Sequence, residues 1–179
     1  MSISVVPTTR TFKGALHAVQ FELRKQGCWS AKLARVSTRQ TPFGFAYGWQ
    51  YYRGCGDIVV PRISVVRLWD RFWGTAIPLR DVLRHEYAHA VADSHRSLVR
   101  GKTFRCVFGG DHDSETWFEY DVDSHVSVYA SSRVCEDFAE VFMYYMKFKG
   151  RLPTRFDTPQ IARKWNYIEL VCNQMKQMK

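Results

Sequence analysis

Apolar positions recur every three to four residues in several stretches of this 179-residue chain. From Thr11 to Gln26 they fall at Phe12, Leu16, Val19 and Leu23, one stripe of an α-helix, with Thr11 placed to cap its start and Gly27 to end it. His17 lies on this helix and reads as a surface or packing residue. Val134 to Lys147 carries Val134, Phe138, Val141, Phe142 and Tyr145 on one side and is stopped by Gly150 and Pro153. A last helix starts at about Pro159, capped by Thr158, with Ile161, Trp165, Ile168 and Val171 as its stripe. Pro78, Asp81, Val82 and Leu83 lead into a further helix predicted over 78–94.

Between the first two helices the pattern changes. Ala31 to Thr38 alternates apolar and polar, Phe43 to Tyr52 is aromatic and punctuated by Gly, and Asp57 to Ser64 is β-branched. Three strands are predicted, with turns near Gln40–Pro42 and Arg53–Gly56. Pro61 cannot donate to a ladder, which places the third strand at an edge. Such an edge either accepts an extended peptide by strand addition or is protected by Pro61 and Arg62. Residues 64–73 read as a short helix or irregular chain. Residues 96–132 read as mostly irregular, with a short packed segment over Thr103–Gly110. The expected fold is α+β: an N-terminal helix, a small three-stranded sheet, then three helices, in one domain over 1–179.

The composition, 46% hydrophobic and 15% aromatic, supports a real core and excludes a disordered chain. No apolar run approaches the roughly 18 residues of a membrane span, and the first residues do not form a signal peptide. Five cysteines, none in C-x-x-C spacing, read as reduced thiols of a cytoplasmic protein and disfavour a Cys-based zinc site. The net charge of +9 is uneven. Residues 1–84 hold 13 basic and 4 acidic groups, 85–140 hold 5 and 11, and 141–179 hold 8 and 2. An acidic middle suits a cation site; basic flanks are either a solvated surface or a contact for nucleic acid.

The acidic middle opens on His85-Glu86-Tyr87-Ala88-His89. On a helix, residues four apart share a face, so His85 and His89 present two imidazoles to one point with Glu86 beside them. Zinc takes nitrogen ligands and, in catalytic sites, keeps a position for water, whose proton a neighbouring Glu can accept. Asp81, one turn earlier, either orients the His85 ring or only favours the helix N-terminus. A third ligand has two candidates. His95 has the spacing of the metzincin motif, but Ala92 stands where that motif turns on a Gly. Glu136 lies four residues before Glu140 on a helix that reads as largely buried. One carboxylate can bind metal while the other accepts a ring N–H, and buried carboxylates need a cation or donors. Glu136 is favoured. The acidic run 111–123 lacks the ligand order of an EF-hand and reads as a solvated loop that rims the cleft.

The segment from His125 to Glu140, with Tyr129-Ala130-Ser131 followed by Glu136-Asp137-Phe138-Ala139-Glu140, resembles the gluzincin metallopeptidases. The nearest likeness is to the lethal-factor-type catalytic domain and to a family of bacterial zinc-binding metallopeptidases, over about residues 85–148. The resemblance implies a minimal zincin fold and a zinc-dependent endopeptidase holding one zinc ion through His85, His89 and Glu136. It implies Glu86 as general base, Glu140 behind a ligand His, and Tyr129 at the oxyanion. On its residues alone Tyr129 reads as packing, and His125 is a second candidate for the oxyanion role. The implied partner is a peptide or protein substrate. Two rival readings are an SprT-like protease guided by nucleic acid through the basic flanks, and a non-catalytic zinc-binding or interaction module. SprT-like proteases use a third His, which Glu136 does not match.

Overall fold

In a computed structural model, which describes residues 8–52, 55–66, 68 and 77–178, the predicted stripes meet in one core. Helix α1 spans Thr9–Gln26. It starts earlier than predicted because Thr8, not Thr11, is its cap: the Thr11 backbone N–H donates to Thr8 Oγ1 at 3.2 Å. Phe12, Ala15, Val19 and Leu23 are its buried face, and Gly27, at φ 84°, ends it in the left-handed region as predicted.

The strand region departs from expectation in three places. Ala31–Ala34 is a short helix, α2, because the Ser30 side chain caps it through the Leu33 backbone N–H. Strand β1 therefore begins only at Ser37 and runs to Gly44, through the predicted turn at Gln40–Pro42. Strands β2 (Gly48–Tyr52) and β3 (Cys55–Ser64) follow. The sheet order is β1-β3-β2, so β3 is the central strand, not an edge. Pro61 is tolerated there because β2 pairs only as far as Val59, opposite Gly48, and beyond it β3 is bonded to β1 alone. The expectation for 64–73 falls mostly outside the described residues.

Helix α3 spans Leu79–Ser94 and is buried on almost every side, twelve of its sixteen residues being buried. That is why it has no simple apolar stripe. It packs against α1, the sheet and, most extensively, α5 (Val134–Lys147). The predicted short segment near 103 is a helix, α4 (Lys102–Phe108), closed by Gly109 at φ 80°. Helix α6 (Pro159–Gln177) is capped by Thr158 and buries Ile161, Trp165, Ile168 and Val171, all as expected. The molecule is thus α+β, and among the described residues no helix is long and apolar enough to cross a membrane.

One expectation about the cysteines is corrected. Cys28, just after α1, and Cys172, in α6, are joined in a disulfide, and both are buried. Nothing in their spacing announces the pair, because 144 residues separate them and only the packing of α6 against the end of α1 brings them together. Closing so long a loop restricts the unfolded chain strongly. The double variant Cys28→Ala/Cys172→Ala is expected to lose about 2–5 kcal/mol of unfolding free energy. Urea melts of parent and variant, with and without reductant, measure it. A parent whose midpoint ignores reductant would contradict the pairing.

Candidate metal centre

Two turns of α3 and the first turn of α5 bring the predicted donors together. His85 Nε2 lies 3.1 Å from Glu136 Oε2 and 3.1 Å from His89 Nε2, and His89 Nε2 lies 3.3 Å from the same Glu136 oxygen. Among the described residues these three form a group of donors able to hold one metal ion. His85 and His89 meet because four residues of helix return to the same face; their rings stand edge to face, centroids 4.9 Å apart.

Behind the donors, His85 Nδ1 faces Glu140 Oε1 at 2.9 Å, and Glu140 Oε2 accepts from Ser127 Oγ at 2.7 Å. Glu140 therefore fixes the outer nitrogen of His85 and leaves the inner one for a ligand role. Ser127 Oγ also accepts from the Ala130 backbone N–H at 3.1 Å. It ties Glu140 to the 3₁₀ turn Tyr129–Ser132, from which Tyr129 reaches the site. The Tyr129 hydroxyl is bonded to Glu136, and its ring sits 5.7 Å from that of His85. With the residue 54% exposed, core packing is not its role.

Glu86 is buried beside both imidazoles. Strand β2 crosses it: the Trp49 backbone N–H donates to the Glu86 carboxylate, and Trp49 Nε1 donates to Asp93 Oδ2 at 2.7 Å. Burial pushes the Glu86 carboxyl above the ordinary range, against the pull of His85 and His89. Burial also raises the Tyr129 hydroxyl, and the Glu136 charge adds to it. For His85, burial acts downward, but the bonds to Glu136 and Glu140 outweigh it and the ring is raised to about 10. Glu136 moves the other way: burial would raise it, but His85 and His89 hold it well below the usual carboxylate range.

Each His85 nitrogen faces a carboxylate, which favours a proton on both. Metal binding must displace the inner one, because a ligating nitrogen needs its lone pair. Binding of zinc at pH 7–8 is expected to release about one proton from this ring and to weaken as pH falls. Calorimetric titration in two buffers of different ionisation enthalpy measures the release. Identical heats in both buffers would refute it.

The remaining candidates lie elsewhere. Asp81 does not orient His85: its oxygens are taken by Arg84, one turn on, and by Lys147 Nζ at 2.6 Å. Helix α3 runs unbroken past Ala92, so His95 becomes its C-cap, buried away from the donor group. His125 is buried against Phe118, ring centroids 6.0 Å apart, and does not line the cleft. Of the acidic run, His112 to Glu115 does form part of the rim.

The cleft holds about 450 Å³ and is lined by Gly48 and Trp49, the donor residues with Glu86 and Tyr129, and the 112–115 rim. Three residues of the site escaped the sequence reading. Trp49 acts through its backbone, and Ser127 is a common residue type with no motif around it. His112 sat in a run read as acidic and solvated. In comparison with known proteins, the chain matches no family model, no curated protein and no solved structure.

Proposed function

We propose that this chain is a zinc-dependent endopeptidase of gluzincin type, with His85, His89 and Glu136 holding one zinc ion. The observation that carries the reading is the convergence of two imidazole nitrogens and one carboxylate oxygen, 3.1–3.3 Å apart, with a buried carboxylate beside them. The donor set suits the metal: nitrogen and oxygen ligands, three from the protein, with Glu140 holding the outer nitrogen of His85. A bound zinc ion would acidify water and polarise a carbonyl.

The chain's own groups supply the rest. Glu86, kept in place by the Trp49 N–H, takes a proton from the attacking water and returns it to the leaving amine. Tyr129, whose hydroxyl keeps its proton, donates a hydrogen bond to the oxygen on which negative charge develops. An extended peptide in the cleft would run past β2, an outer strand of the sheet, rather than past β3 as the position of Pro61 suggested.

Metal content and cleavage are tested together. The purified protein is expected to carry one zinc ion per chain, and Glu136→Ala to bind it at least about tenfold more weakly. A proteome-derived peptide mixture is expected to be cleaved by the parent, to survive in the presence of chelator, and to be cleaved again after zinc is restored. A protein that binds no divalent ion, or cleaves equally with chelator, would remove the proposal.

A further inference from the structure

The loop that carries Tyr129 is fastened by α6 a few residues earlier. Thr158 Oγ1 donates to the Asp123 carbonyl at 2.6 Å, and Lys164 Nζ donates to the Ser124 carbonyl at 2.6 Å. Val126 is buried, but the chain then turns outward: Val128 is 68% exposed and Tyr129 54%. Ser127 joins this exposed turn to α5.

A serine hydroxyl has one hydrogen to give and lone pairs to accept with, and Ser127 uses both. It donates to Glu140 Oε2 at 2.7 Å and accepts the Ala130 backbone N–H at 3.1 Å. Glu140 turns its other oxygen, Oε1, to His85 Nδ1 at 2.9 Å. An unbroken path of hydrogen bonds therefore runs from the peptide unit after Tyr129, through Ser127 and Glu140, to the ring that offers Nε2 to the metal. Ala130, Glu140 and His85 are buried and Ser127 is half-buried. Capping the 3₁₀ turn Tyr129–Ser132 needs only the acceptor lone pair. The hydrogen is spent on the carboxylate that holds a metal donor, and without it Glu140 Oε2 loses its donor in a largely buried place.

We infer that Ser127 is a positioning residue that sets two members of the site at once: the His85 ring, through Glu140, and the Tyr129 hydroxyl, through the Ala130 N–H. This role presumes the zinc and peptidase readings above. One oxygen takes part in both bonds, so a displaced Tyr129 turn is felt at His85, and a displaced Glu140 is felt at Tyr129.

Ser127→Ala removes both bonds at little change of volume; Ser127→Thr keeps the hydroxyl. Zinc affinity is measured without peptide, by competition with a chromophoric chelator. Ala is expected to weaken zinc about tenfold, the smaller effect usual for a group behind a ligand, and Thr to stay within about threefold of the parent. In a Glu140→Ala background, Ser127→Ala is expected to weaken zinc no further. The Tyr129 arm is read at saturating zinc, with the best-cleaved members of a proteome-derived peptide mixture. There Ser127→Ala is expected to lower kcat about tenfold with KM within about twofold, and to lower it less than about twofold when Tyr129→Phe is already present. A serine that only caps the turn predicts a lower urea midpoint with zinc affinity untouched. Zinc affinity unchanged in Ser127→Ala, a loss that Thr does not restore, or a kcat penalty equal with and without Tyr129→Phe overturns the inference while the peptidase reading stands. A parent that binds zinc but cleaves no peptide removes the peptidase reading and the Tyr129 arm with it, and the affinities still decide the hold of Ser127 on His85. A parent that binds no zinc removes both.

Discussion

Replacing Glu86 with Gln is expected to leave zinc bound and to lower kcat by about 10²–10⁴, the usual contribution of a positioned general base. Gln has the same shape, and its amide oxygen can still accept the Trp49 N–H that holds the carboxylate in the parent. The donors His85, His89 and Glu136 are untouched, so metal content and folding should match the parent. What is lost is the capacity to accept a proton, because an amide oxygen is far less basic than a carboxylate. Metal analysis with single-turnover cleavage of a peptide separates the two properties. A Gln variant that turns over within tenfold of the parent would sink the mechanism. One that loses its zinc would mean that Glu86 holds the site together rather than serving it.

The second large effect concerns Lys164. Its ammonium, 5% exposed, donates to Asp137 Oδ2 at 2.6 Å and to the Ser124 carbonyl at 2.6 Å. It thereby links α6 to the residue beside Glu136 and to the loop that leads into the Tyr129 turn. Asp137 is fully buried; burial pushes its carboxyl up to about 6, even with Lys164 pulling the other way. Lys164→Met removes the cation that, among the described residues, is bonded to that carboxylate and is expected to cost about 3–5 kcal/mol of stability near neutral pH.

The pH dependence has a definite sign. A carboxyl whose folded pKa lies above its unfolded one binds more protons when folded, so its contribution to stability falls as pH rises through that interval. Without Lys164 the carboxyl is raised further. The deficit of the variant against the parent should therefore be largest at about pH 8 and shrink as pH falls towards 5, where Asp137 can be neutral. Urea melts at the two values measure it. A deficit that is the same at both would mean lost side-chain packing, not an unpaired charge, is the cause.

Much of this architecture could be read from the residues in order. The stripes of α1, α5 and α6 are local, since each helix presents one apolar face whatever it packs against, and their caps and terminal glycines lie within the same few residues. The His85–His89 pair is equally local, because one turn of helix suffices to align it. Glu136 could be proposed because a Glu four residues before another Glu, on a helix with so apolar a stripe, is hard to leave buried without a partner. The strands are less legible, because their pairing is set by distant segments. Alternation over Ala31–Thr38 was overruled by one serine cap, and Pro61 pointed to an edge when it needed only a place beyond the reach of β2.

Residue identity and helical spacing therefore decided which groups can bind a cation and which helices carry them, for those properties need no more than one turn of backbone. Folding alone decided which partner each group meets. Asp81 met Arg84 and Lys147 instead of His85, Cys28 met Cys172, and His112 came out of a loop to stand beside His89. Such pairings join segments far apart in the chain. They depend on how the helices pack and on which buried charge or lone pair finds a partner first, and no short stretch of sequence carries that information.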